Sequence, residues 1–174
     1  LRTKTVVVFL PGTGTTPTMY SHLLRAAQRA GNYVLGLAYL SQPVPVSAFN
    51  AWCAANIESR PSQACNKRSH TAMIHGLSDS HRSFHGDDFV SDLNLGGLWD
   101  VEESNSVETL LTSTLRTVSW GFHFLQGRGN TTEDIDWSRI VVSGHSQGHA
   151  AFWSILRPVL GVVLLSGPQD TVTD

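Results

Sequence analysis

Arg139-Ile140-Val141-Val142-Ser143-Gly144-His145-Ser146-Gln147-Gly148 decides how the rest of the chain is read. Its first half is an apolar, β-branched run, the mark of a strand buried on both faces. The residues that follow it, His149-Ala150-Ala151-Phe152-Trp153-Ser154-Ile155-Leu156-Arg157, suit a helix. A serine forced into a sharp strand-to-helix turn takes strained backbone angles, and Gly144 and Gly148 let neighbouring elements pass close to it. Such a turn lifts Ser146 Oγ clear of the sheet and aims the unpaired N–H groups of the new helix at the same spot. Glycine accounts for 15 of 174 residues, so the pentapeptide takes its weight from the flanking strand and helix.

Upstream, Thr5-Val6-Val7-Val8-Phe9-Leu10 is a second continuous apolar run. Pro11-Gly12-Thr13-Gly14-Thr15-Thr16-Pro17 breaks it. Residues 18–30 are expected to form a helix, with Met19, Leu23, Leu24 and Ala27 near one face and Gly31-Asn32 as its stop. Tyr33–Leu40 is the next strand, so the first forty residues read as one βαβ unit with a glycine-rich first turn. Downstream, Gly161–Ser166 is a fourth strand and Gly167–Asp170 the turn at its carboxyl end. Between these parts, residues 41–100 hold three prolines, both cysteines and four histidines, and read as a long irregular excursion with one short helix near Ala48–Ile57. Asn105–Trp120 is expected to be helical, capped by Asn105 with Glu108 three residues on, and striped by Val107, Leu110, Leu111, Leu115 and Val118. The fold class is therefore α/β: an open, mainly parallel sheet in a three-layer α-β-α arrangement, one domain over residues 1–174. The Pro11–Pro17 loop, the Ser146 turn and the Gly167–Asp170 turn all fall at carboxyl ends of strands, where such sheets bind ligands.

Composition sets the outer bounds. Twelve basic and 14 acidic residues give a net charge of −2, which supplies no electrostatic footprint for nucleic acid. No apolar run approaches the ~20 residues of a membrane span. Cys53 and Cys65 are expected to form one disulfide, with Cα atoms about 4.4–6.8 Å apart. Together with the sequon Asn130-Thr131-Thr132, the pair points to an extracytoplasmic or secreted protein. His70-x₄-His75 and His81-x₃-His85, with Asp79, Asp87 and Asp88 nearby, have spacings that could hold a metal; the reading adopted is a solvated polar loop, with no metal and no cofactor. His22 and His123 read as ordinary helix or surface histidines.

Strand, G-x-S-x-G and helix, preceded by a glycine loop after the first strand, resemble the α/β-hydrolase superfamily of serine esterases and lipases. The resemblance implies Ser146 as nucleophile, with the Thr13 and Gln147 N–H groups, beside Gly14, as the oxyanion hole. Pro11 stands where many members have histidine, a change of little weight because the donor is a backbone N–H. Asp170 is one implied acid; in many members the acid sits one strand later. The implied substrate is a small-molecule, lipid or polyester ester. The family order is serine, acid, histidine, yet His149 is the last histidine in the sequence. His145 and His149 flank the serine; His145 is expected to orient the turn, and His149 points along the helix. Residue 149 also departs from the second glycine common there. Two expectations follow. The functional unit is incomplete, its acid and histidine on a further C-terminal segment or a second chain that would also cover the outer edge of Val162–Leu165. The alternative is a catalytically inactive hydrolase-fold binding or structural protein.

Overall fold

The computed structural model describes residues 4–39, 74, 106–126, 134–146 and 157–165. Among these, four strands form one sheet: β1 (Val6–Leu10), β2 (Tyr33–Gly36), β3 (Ile140–His145) and β4 (Gly161–Leu165). Their order is β2-β1-β3-β4 and every pairing is parallel. Val8 lies between Leu35 and Val142, and Leu10 faces Gly144. Parallel strands flanked on both sides need apolar residues on both faces, which accounts for the unbroken runs in β1 and β3. These inner strands are buried almost throughout. β2 and β4 are the edges among the described residues, and Val163 and Leu164 of β4 are 46% and 51% exposed.

Helical segments pack on both faces. Val6, Val8 and Leu10 share one core with Leu35, Ile140 and Val142, closed by Val107, Leu111 and Leu115 of α2 (Val107–Thr117). Ile74 is buried in the same core. Phe9 points to the opposite face, where the Tyr20 ring lies 4.6 Å from its own and Leu24 covers Gly36. That face carries α1 (Ser21–Arg29).

The element bounds differ from the sequence expectation in instructive places. The helix expected over 18–30 begins as a 3₁₀ turn, Pro17–Tyr20, before α1. Proline suits the first helical position because its missing N–H would have no partner there. Met19 is 68% exposed and Leu23 38%, so neither faces the sheet as expected. The inward series is Tyr20, Leu24 and Ala27, the i, i+4, i+7 spacing of one helix face. Strand β2 ends at Gly36 rather than residue 40, although Leu37 N–H still donates to Phe9 O at 3.0 Å. Ser106, not Asn105, caps α2: its Oγ accepts from Thr109 N–H at 3.1 Å. Glu108 makes no capping box. It is 4% exposed and accepts from Arg157 Nε at 2.8 Å.

The expected helix at 48–57, the two cysteines, the four histidines of the excursion, Asn105 and the sequon lie outside the described residues. So do Gln147, His149 and Asp170. No helix among the described residues is long and apolar enough to cross a membrane.

Candidate functional site

The strand order places a topological switch between β1 and β3: β2 lies on one side of β1, and β3 and β4 on the other. Crossovers that diverge in this way leave a crevice beyond the strands' carboxyl ends. Pro11-Gly12-Thr13-Gly14 leaves β1 on one bank of that crevice, and Ser146 leaves β3 on the other.

Ser146 has φ +52, and it is the one non-glycine residue at positive φ among the described residues. A left-handed backbone costs an L-residue roughly 1–2 kcal/mol. The surroundings that hold it there are a six-residue buried strand and the packed turn across the crevice. The residue itself is exposed.

The two banks touch. A Cβ on Gly12 would lie 3.0 Å from His145 Nδ1, 3.1 Å from His145 O and 3.3 Å from Ser146 Cβ. Only a residue with no side chain fits without displacing the turn. Gly14, two residues on, is exposed with φ +68. Between them, Thr13 is half-buried. The Gly12 carbonyl accepts from Thr15 N–H at 3.1 Å and from Thr15 Oγ1 at 2.7 Å. In a planar trans peptide the following N–H is antiparallel to that carbonyl. The Thr13 N–H is therefore aimed out of the turn that holds the Gly12 oxygen.

Two tyrosines not singled out from the sequence hold this loop. Tyr39 donates to Pro11 O at 2.8 Å. Burial pushes the Tyr39 phenol above the ordinary tyrosine range, and neighbouring Tyr20 adds to the rise, so Tyr39 stays a neutral donor. The Tyr20 hydroxyl lies 2.9 Å from His145 Nδ1 and 3.2 Å from Thr15 Oγ1. Both residues had a signal in the sequence. Tyr20 continues the stripe of Leu24 and Ala27 one turn earlier, and Tyr39 continues the alternation of Leu35 and Leu37.

Of the residues singled out from the sequence, Ser146 and His145 lie against Gly12, the residue that precedes Thr13 and Gly14 in the loop. Gln147 and Asp170 lie outside the described residues. His22 and His123 are exposed, on α1 and on the turn Gly121–Phe124. An open groove of about 400 Å³ lies elsewhere, between α1 and β2, lined in part by Leu24, Arg25, Asn32, Tyr33 and Trp120; Ser146 is not part of it. Compared with protein-family models, curated protein sequences and solved structures, the chain gives no match.

Proposed function

We propose that this protein is a serine hydrolase of the α/β-hydrolase type that cleaves carboxylic esters through an acyl-enzyme on Ser146. The observation that carries the reading is the left-handed backbone of Ser146 at the end of β3, directly across the switch point from Gly12. A nucleophile elbow requires this conformation, and a serine has little other reason to bear its cost.

In the proposed reaction a base takes the Ser146 hydroxyl proton as Oγ attacks the ester carbonyl carbon. The carbonyl oxygen becomes an oxyanion, held by the Thr13 N–H and the Gln147 N–H. Collapse of the tetrahedral species breaks the bond to the alcohol, which leaves with the proton. Water then attacks the acyl-enzyme and restores the Ser146 hydroxyl while releasing the acid. Asp170 is the proposed acid partner of the base.

The test is reaction of the full-length protein with a fluorophosphonate probe, followed by peptide mass mapping. One label on Ser146, lost in Ser146→Ala, is expected. Labelling elsewhere, or none at all, sinks the esterase reading and favours a hydrolase-fold binding protein.

A further inference from the structure

We propose that Tyr20 is a positioning residue of this site, its hydroxyl tying the Ser146 turn to the glycine loop and fixing the protonated nitrogen of His145. The inference rests on the serine hydrolase reading above.

The hydrogens on these three side chains are few enough to assign. Thr15 Oγ1 has one, and it is used on Gly12 O at 2.7 Å. In the contact between Thr15 Oγ1 and the Tyr20 hydroxyl, at 3.2 Å, the donor must then be Tyr20. That uses the only hydrogen on the phenol. At 2.9 Å from His145 Nδ1, the Tyr20 oxygen is then assigned as the acceptor and the proton to Nδ1, the assignment that satisfies all three contacts at once. In a neutral ring Nε2 is then the lone-pair nitrogen. The chain runs in one direction: His145 Nδ1–H to Tyr20, Tyr20 O–H to Thr15, Thr15 O–H to the Gly12 carbonyl.

This relay bridges the crevice. One end is the residue before Ser146; the other is the peptide whose N–H belongs to Thr13. Rotating that peptide away from the oxyanion position would break the Thr15–Gly12 bond. Sliding the turn would break the Tyr20–His145 bond. The Tyr20 ring is itself fixed on Phe9, a residue with no exposed surface at the centre of the sheet. The spacing of nucleophile and donor is thus referred to the sheet through one side chain, as a preorganised oxyanion site requires.

The experiment compares wild type, Tyr20→Phe, Thr15→Val, Thr15→Ser and the double variant Tyr20→Phe/Thr15→Val in the full-length protein. Tyr20→Phe keeps the ring on Phe9 and removes only the hydroxyl. The readouts are the rate of Ser146 labelling by a fluorophosphonate, kcat and KM on p-nitrophenyl butyrate, the melting temperature, and ¹⁵N shifts of the His145 ring. Tyr20→Phe and Thr15→Val should each lower kcat and the labelling rate by about tenfold to a hundredfold with KM little changed, a loss below that of deleting an oxyanion donor. Thr15→Ser should restore the rate. The double variant should cost no more than the worse single one, since both cut one chain. His145 should show a protonated Nδ1 in the wild type and lose that preference in Tyr20→Phe. Labelling of Ser146 at wild-type rate in both single variants overturns the positioning role and leaves the hydrolase reading intact. Losses that multiply, or an unchanged His145 spectrum, overturn it equally. Failure of the wild type to label at Ser146 defeats the hydrolase reading and the positioning role with it.

Discussion

Replacing Gly12 by alanine tests the crevice directly. The added Cβ would stand 3.0 Å from His145 Nδ1, 3.1 Å from His145 O and 3.3 Å from Ser146 Cβ. Ordinary contacts begin near 3.4 Å, so a shift of a few tenths of an ångström is needed at each. One of those atoms is backbone of β3, where His145 pairs with Leu165 of β4, and His145 Nδ1 lies 2.9 Å from the Tyr20 hydroxyl. The neighbours cannot yield separately; the turn must move as a unit. Forcing one carbon into a packed site costs about 1–3 kcal/mol. At about 2–4 °C per kcal/mol for a chain of this size, the melting temperature should fall by roughly 2–12 °C. A 1 Å misplacement of reacting groups costs about a hundredfold in rate, so a shift of some tenths should slow Ser146 labelling by several-fold to about tenfold. Gly31→Ala is the control. Gly31 has φ +93 and open space around it at the end of α1, so alanine there meets only backbone strain, about 1–2 kcal/mol. It should lower the melting temperature by a comparable amount and leave labelling untouched. If Gly12→Ala labels as fast as wild type, or if Gly31→Ala slows labelling equally, the crevice geometry derived above is wrong.

Three further outcomes are expected. Tyr39→Phe removes the bond to Pro11 O and should cost about 1 kcal/mol at neutral pH in urea unfolding. Because burial raises the Tyr39 pKa in the folded protein, the unfolded chain binds fewer protons above about pH 10, so this group's stabilisation is whole below that pH and lost as pH rises towards the folded-state value. The difference between wild type and Tyr39→Phe should therefore hold up to about pH 10 and narrow above it, and a difference that widens there would contradict the buried donor. Arg157→Ala removes the 2.8 Å bond to Glu108, whose side chain is 5% exposed, and should cost more than the roughly 1 kcal/mol ceiling of an exposed pair; a loss within a few tenths of zero in chemical denaturation would refute the buried pairing. Ser106→Ala removes the α2 cap and should cost about 1 kcal/mol in the same assay, whereas Glu108 substitutions should leave helix capping unaffected.

The sheet was legible in the sequence because parallel inner strands must be apolar on both faces. Val6–Leu10 and Ile140–Val142 announce themselves without reference to any partner. Their order was not legible, since a run of valines carries no record of its neighbour; only the pairing of Val8 with both Leu35 and Val142 reveals β1 as the hinge between diverging crossovers. The helix α1 was found but turned wrongly. Hydropathy ranked Met19 and Leu23 above Tyr20, yet a phenol can bury its ring on Phe9 and still satisfy its hydroxyl at the crevice. A stripe that included amphipathic side chains would have set the face correctly.

The same physics explains what was missed at the site. Ser146 and Gly12 could be picked out because backbone demands select residue types: a tight turn needs small neighbours, and a close approach needs a missing Cβ. Those demands are local, and sequence records them locally. The residues that hold the loop work by reach across 125 positions, from Tyr20 to His145, and by hydrogens whose assignment depends on the next bond in the chain. Tyr39 reaches back 28 residues to the Pro11 carbonyl. Neither tyrosine occupies a motif, yet each lies on a periodic stripe whose other members are apolar. A polar-tipped residue at the limit of such a stripe nearest the carboxyl ends of the strands, beside a glycine loop, is where a hydroxyl can leave the core and meet the site. Tyr20 and Tyr39 both sit at that limit, one at the start of α1 and one just beyond β2, on the two elements that first follow the loop.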